Sequence, residues 1–170
     1  MNLREQILKE HSKRNTAKIT KYVGEDPERF KALMRLFFND EYRVVQRAAW
    51  AVGNIGVDHK YLVKPYLKKM TDYLQKPPHD AVKRNVLRIF QFIEIPKNLQ
   101  GRLVDICFKF LLSKDEPIAI KVFSMTVLAN ISKKNPDLKN EIKMVIEEML
   151  PFAGPGIRAR GKRTLKELNT

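Results

Sequence analysis

Leucines recur along this chain at a fixed interval of 38 residues. The series consists of Leu36, Leu74, Leu112 and Leu150. The position four residues before each leucine is also apolar, and it holds Ala32, Met70, Phe108 and Ile146. Residues four apart lie on the same face of an α-helix. The spacing therefore predicts four repeats, each with a first helix that buries this stripe.

A second apolar series runs in register with the first. It begins at Val44, Val82, Ile120 and Ile157, which are 38, 38 and 37 residues apart. Apolar or small residues then follow in steps of four, four and three: Ala48, Val52 and Ile55; Val86, Phe90 and Ile93; Ser124, Leu128 and Ile131; Gly161, Leu165 and Leu168. Such steps are typical of a helix and differ from the alternation of a strand. Each repeat is therefore predicted to contain a second helix.

Turn-forming residues separate the two series and mark the predicted helix ends. They are Asn39-Asp40, Pro77-Pro78, Asp115-Glu116-Pro117 and Gly154-Pro155-Gly156. They supply N-cap side chains or proline suited to a first helical turn. The predicted helices span 27–39, 41–56, 59–76, 79–95, 98–113, 117–134, 137–151 and 155–169. Pro65 falls inside one of them, so that helix is expected to start near Lys64 or to kink there.

The resulting prediction is one all-helical domain over residues 1–170. It comprises an N-terminal cap over 1–26 and repeats over about 27–56, 57–95, 96–136 and 137–170. One or two helices are expected in the cap, with Ile7-Leu8 and Ile19-Tyr22-Val23 facing inward. The cap does not follow the 38-residue register, as is common for the terminal element of a repeat array.

The first repeat carries a recognisable family pattern. Residues 40–56 read DEYRVVQRAAWAVGNIG, with an acidic turn, paired alanines and a closing Gly-x-Ile-Gly. This segment resembles the second helix of a HEAT repeat. Val82-Lys83, Ile120-Lys121 and Ile157-Arg158 match the apolar-basic pair of that family, whereas Val45 replaces the basic residue in the first repeat. The resemblance implies a right-handed α-α superhelix of about four helix pairs, whose second helices line the concave side. It implies no particular activity.

Composition favours a folded protein with acidic partners. The chain has 44% hydrophobic residues, and 33 Lys and Arg against 19 Asp and Glu give a net charge of +14. The positive excess is spread along the chain and favours acidic or polyanionic partners. No segment approaches the roughly 18–20 consecutive apolar residues of a membrane helix, and the first residues lack the apolar stretch of a secretion signal. A cytoplasmic location without a membrane partner is expected.

No residue pattern predicts catalysis, a metal or a cofactor. His11, His59 and His79 fall on different predicted elements and lack the spacing of metal ligands. The lone cysteine, Cys107, excludes an internal disulfide and lies in an apolar run typical of a buried side chain. No glycine-rich phosphate loop or nucleophile–base motif is present. The chain is therefore predicted not to be an enzyme.

The candidate binding residues come from the second helices. Relative to the Val44 column, positions two and six residues later lie opposite the buried stripe. These positions and their neighbours predict a basic concave face with one tryptophan: Arg47, Trp50, Arg84, Arg88, Lys121, Arg160 and Arg163. Trp and Arg are frequent anchors in protein interfaces. Under the alternative interpretation, Trp50 packs against a neighbouring repeat and the arginines form a solvated surface.

Two functions follow from this surface. The first is a non-catalytic scaffold that binds an acidic protein or peptide on its concave face, either alone or as the accessory of an enzyme. The alternative is a nucleic-acid-binding protein that distantly resembles the alkylpurine DNA glycosylases, which are also built from HEAT-like repeats. That analogy rests on fold and charge, so no catalytic residue is carried over. The sequence leaves the oligomeric state open.

Overall fold

A computed structural model describes residues 1–76 and 79–170, and it divides the chain into two compact units. The N-terminal unit comprises Met1–Ile93 and the C-terminal unit comprises Glu94–Thr170. The described residues are helical with no strand, as the periodicity predicts. The predicted turn at Pro77-Pro78 lies outside the described residues. None of the described helices has both the length and the apolar character needed to cross a bilayer.

The described part of the N-terminal unit is a stack of short helices. It contains α1 (Leu3–Lys9), α2 (Lys13–Val23), α3 (Pro27–Asn39), α4 (Tyr42–Asp58), α5 (Lys60–Val63), α6 (Leu67–Gln75) and α7 (Asp80–Phe90). The cap helices α1 and α2 both pack against α4, as do α3 and α7. Consequently α4 is the centre of this unit, and its buried face includes Val44, Ala48, Val52 and Ile55.

Helix boundaries in this unit follow from local capping. The Ser12 hydroxyl accepts a hydrogen bond from the Asn15 N–H at the start of α2. Asp26 accepts from the N–H groups of Glu28 and Arg29 at the start of α3, where Pro27 occupies the first turn. Pro65 lies in a 3-10 turn over Lys64–Tyr66 that separates α5 from α6. The interruption predicted at Pro65 is confirmed.

The C-terminal unit consists of two helical hairpins. Its helices are α8 (Lys97–Leu112), α9 (Ile118–Ser132), α10 (Leu138–Met149) and α11 (Pro155–Leu168), with a 3-10 turn at Leu150–Phe152. Helix α9 packs against α8, α10 and α11 and carries apolar residues around most of its circumference. Gly161 of α11 lies close to α10 and the 3-10 turn, because a Cβ built at Gly161 would be 2.7 Å from Leu150 Cδ2.

The register predicted for the second helices is confirmed. Their described columns are buried, except for half-buried residues at Ile93, Ile157 and Leu165. The largest difference in a boundary is at α7, which ends at Phe90 and not near residue 95. The N–H of Phe92 bonds back to the Ile89 carbonyl, which tightens the helix end. Pro96 also disfavours helical backbone at the residue before it.

The register predicted for the first helices is correct only in part: Met70, Leu74 and Ile146 are buried, but the other positions are not. Leu112 is 64% exposed, Ala32 is exposed, and Leu36 and Leu150 are half-buried. The buried first-helix positions instead recur every 37 residues in the first three repeats, in the columns Phe30, Leu67 and Val104; Leu33, Met70 and Cys107; Phe37, Leu74 and Leu111. A shift of one residue rotates a helical position by about 100°. The two series coincide in the second repeat, at Met70 and Leu74. In the first and third repeats the predicted positions lie one residue away from the buried ones and are therefore turned away from the core.

Candidate binding surface

Trp50 is half-buried on α4, and its ring meets a side chain of the cap. The ring centroids of Trp50 and His11 are 5.7 Å apart, with the ring planes tilted by 58°. His11 belongs to the connection between α1 and α2 and is exposed. Aromatic pairs at this separation attract one another through their edges and faces. Trp50 therefore keeps part of its surface in solvent while His11 restricts its position.

Asn54 connects the Trp50 side of α4 to α7. It lies four residues after Trp50 and thus on the same face of the helix. Its Oδ1 accepts a hydrogen bond of 2.9 Å from Arg88 Nη1. Arg84 lies one turn before Arg88 on α7 and is exposed. We name the surface formed by His11, Trp50, Asn54, Arg84 and Arg88 the Trp50 face.

Arg47 has a structural contact that the sequence does not reveal. Its Nη1 donates hydrogen bonds to the carbonyls of Ile7 at 3.2 Å and Leu8 at 2.9 Å. Both carbonyls lie at the C-terminal end of α1, where intrahelical donors are lacking. The guanidinium group therefore fixes the cap against α4. Its predicted part in ligand binding remains a prediction.

The remaining predicted residues belong to the C-terminal unit. Lys121 of α9 and Arg160 of α11 are half-buried, whereas Arg163 of α11 is exposed. The same helix carries further exposed cations at Arg158, Lys162 and Lys166, which lie four residues apart and share a face. These residues form a second candidate surface that belongs to the C-terminal unit. Their role in binding remains a prediction.

The sequence pattern did not predict two of the residues of the Trp50 face, His11 and Asn54. His11 lies in the cap, outside the repeat register, so no column pointed to it. Asn54 is an uncharged residue, but its position four residues after Trp50 was a usable signal. His11 contacts Trp50, and Asn54 holds Arg88 one turn away on the same helix. The Trp50 face therefore combines an aromatic ring with cationic donors.

The chemistry available on the Trp50 face is that of binding. An aromatic edge and guanidinium groups can contact apolar side chains and carboxylates. Among the residues that the structure describes, no group of three His, Cys, Asp or Glu side chains is placed to hold a metal ion.

Comparisons with known proteins agree with the helical repeat architecture. A comparison with curated proteins found no match. The family described as HEAT repeat domain matches residues 3–168, which includes all the helices from α1 to α11. The repeat period, the paired helices and this match lead to one conclusion: the chain belongs to the HEAT repeat domain family.

Proposed function

We propose that this chain is a non-catalytic scaffold that binds an acidic segment of a protein partner on its Trp50 face. HEAT repeat domains typically serve in protein interaction and are generally not enzymes. Two contacts on α4 support an acidic ligand at this face: the Trp50 ring lies against His11, and Asn54, one helical turn after Trp50, holds the Arg88 side chain. Tryptophan and arginine are both frequent anchors in protein interfaces.

The hydrogen bond from Arg88 to Asn54 supports the proposal energetically. A free arginine side chain loses conformational entropy when it pairs with a ligand, which costs about 0.5–1.5 kcal/mol for a side chain with many rotamers. Because Asn54 already holds one guanidinium nitrogen of Arg88, part of that cost is met before binding. The guanidinium still has donors left for a carboxylate.

Charge supports an acidic partner over a neutral one. Residues 1–93 contain 19 Lys and Arg against 10 Asp and Glu, which gives this unit a net charge of 19 − 10 = +9. A surface of one sign attracts ligands of the opposite sign and raises their association rate. The C-terminal unit has predicted binding residues of its own that are also cationic and would favour acidic ligands at that unit's surface: Lys121, Arg160 and Arg163.

The test uses the intrinsic fluorescence of Trp50, which is the only tryptophan of the chain. A short glutamate-rich peptide with one central leucine is titrated at low salt, and the same peptide with lysine in place of glutamate serves as the ligand control. We expect a saturable change in emission for the acidic peptide alone, and weaker binding as salt screens the charges. No saturable change at low salt would contradict the proposal.

A matched pair of variants locates the binding. Arg84→Glu reverses an exposed charge on the Trp50 face, whereas Arg35→Glu makes the same change at an exposed position on α3. We expect Arg84→Glu to weaken peptide binding by about tenfold, equivalent to about 1.4 kcal/mol, and Arg35→Glu to have little effect. Equal losses in both variants would show that only net charge matters.

Duplex DNA is the competing ligand in the same assay. A protein that neutralises about six phosphates loses affinity steeply with salt. Binding of duplex DNA with such a dependence, together with no binding of the acidic peptide, would replace the proposal with the nucleic-acid alternative.

A further inference from the structure

A polar cleft lies between the cap helices α1 and α2, and none of the residues that line it belongs to the Trp50 face. Its volume is about 270 Å³, which is more than the space that one water molecule needs. The side chains around it are predominantly charged or amide-bearing: Gln6, Lys9, Glu10, Arg14, Asn15 and Lys18.

Asn15 is the buried residue of the cleft, and hydrogen bonds from both ends of its amide hold it in place. This side chain is only 2% exposed. Its Nδ2 donates hydrogen bonds to the carbonyls of Gln6 at 2.8 Å and Glu10 at 2.9 Å, and its Oδ1 accepts one from Gln6 Nε2. These bonds tie the end of α1 to the first turn of α2. The positions of the helices that carry the cationic side chains are therefore fixed before any ligand arrives.

Positive charge in the cleft is not balanced by the one carboxylate beside it. Lys9, Arg14 and Lys18 line the cleft, and among the described residues none of the three forms an ion pair. The carboxylate of Glu10 instead accepts a hydrogen bond of 2.8 Å from the Ser12 hydroxyl. Three cations around one cleft repel each other, and this repulsion is relieved when an anion binds between them.

Helix α2 adds to the same potential. Arg14 lies in its first turn, where the helix dipole is positive and favours a bound anion. The opposing negative end of α1 is neutralised in part by Arg47, which donates to the Ile7 and Leu8 carbonyls. The end of α1 therefore opposes a bound anion less than a free helix end would, whereas the start of α2 favours one.

We infer that the α1–α2 cleft binds the phosphate group of a phosphorylated serine or threonine in a partner protein. A phosphomonoester carries a charge of about −1.5 to −2 and three terminal oxygens that accept strong hydrogen bonds. One dianionic group thus matches three cations around one cleft. A nucleic-acid backbone instead presents single charges spread along a strand, which suits an extended groove. The inference is independent of the proposed function, because it involves different side chains and a different ligand.

Isothermal titration calorimetry with four ligands tests this inference. The ligands are a phosphoserine peptide, the same peptide without phosphate, inorganic phosphate, and duplex DNA. We expect saturable binding of the phosphoserine peptide, at least about tenfold weaker binding of the unmodified peptide, and competition by inorganic phosphate. Equal binding of the two peptides would overturn the inference. Binding of inorganic phosphate or of DNA without binding of the phosphopeptide would overturn the assignment of the partner.

Two double variants of α2 with the same change in charge locate the site. Arg14→Gln with Lys18→Gln removes two cations from the cleft, whereas Lys13→Gln with Lys21→Gln removes two exposed cations that do not line it. We expect the cleft variant to lose at least about tenfold in affinity for the phosphopeptide and the control variant to lose less than about twofold. All four positions are exposed, so helicity measured by circular dichroism should match the parent chain. Equal losses in the two variants would refute a site at the cleft.

Discussion

Gly53 of α4 lies directly against Asn85 of α7. A Cβ built at Gly53 would be 2.3 Å from Asn85 Oδ1, which is closer than any normal contact. Asn85 is itself 2% exposed, and its Nδ2 donates to the Ala81 carbonyl at 2.8 Å. One turn later, Gly56 lies against Ile89 of α7 in the same manner. Small residues on α4 thus bring the second helices of two consecutive repeats into close contact.

The first prediction concerns this contact. Gly53→Ala should lower the free energy of unfolding by about 1–3 kcal/mol, because the added methyl forces Asn85 or the helix backbone to move. Gly101→Ala is the control, since no atom outside the local helix backbone lies within 4 Å of a Cβ built at Gly101 on α8. It should raise stability by about 0.5–1 kcal/mol through better helix propensity. Thermal unfolding followed by circular dichroism measures both, and equal shifts would contradict the close packing.

The fold could be predicted from sequence where helical spacing alone decides burial. The second helices follow one register, so Val44, Val82 and Ile120 are all buried. The register of the first helices was harder to predict, because a column of leucines does not show which of two adjacent apolar residues faces the core. Leu111 is 1% exposed while Leu112 is 64% exposed, and both are leucines. Only the packing of α8 against its neighbours separates these two positions.

The candidate surface was predictable to the same extent. Helical spacing predicts that Trp50 and Arg88 lie opposite the buried stripe, and in the structure both are half-buried. The contacts of Arg47 with α1 and of His11 with Trp50 could not be predicted. Both depend on how the cap folds back on α4, and the cap lies outside the repeat from which positions were read.

The second prediction concerns the hydrogen bonds by which Arg47 holds the cap helix α1 against α4. Arg47→Ala removes two hydrogen bonds from the end of α1 and leaves the carbonyls of Ile7 and Leu8 without that donor. We expect a loss of about 1–3 kcal/mol, because a charged donor is lost from a partly buried site. Amide hydrogen exchange should rise first in α1, since terminal elements open locally. Arg43→Ala, at an exposed position one turn earlier, should leave exchange unchanged.

The third prediction concerns the ion pair of Arg4 and Asp40. Arg4 donates from Nε and Nη2 to the Asp40 carboxylate, at 2.9 Å to Oδ2 and 3.1 Å to Oδ1. The hydrogen bonds from Arg4, followed by that from the Glu41 N–H, hold the pKa of Asp40 below its ordinary value of 3.8. A lowered carboxyl pKa stabilises the fold above that ordinary value and ceases to do so as the pH falls through the folded-state pKa.

The variant Arg4→Gln should therefore shift the pKa of Asp40 back towards 3.8, as measured by NMR titration of its carboxyl carbon. Its stability deficit relative to the parent chain should be largest at neutral pH and should shrink as the solution is acidified below 3.8. Lys31→Gln removes an exposed pairing with Glu28 on α3 and should leave the Asp40 titration unchanged. A deficit that stays constant across this range would argue against the pair.

The last prediction tests the corrected register through the single cysteine. Cys107 is fully buried, and burial raises the pKa of its thiol to about 12, against a smaller lowering by the hydrogen bond with Ser124. At pH 8 about one molecule in ten thousand would carry the thiolate that reacts with disulfide reagents. We expect the native chain to react far more slowly than free cysteine, and urea to restore the rate.

The double variant Cys107→Ala with Leu112→Cys moves the thiol to a position that is 64% exposed in the parent chain. The new thiol should therefore react at nearly the rate of free cysteine. Protection of that new thiol would mean that the 38-residue column of leucines faces the core after all.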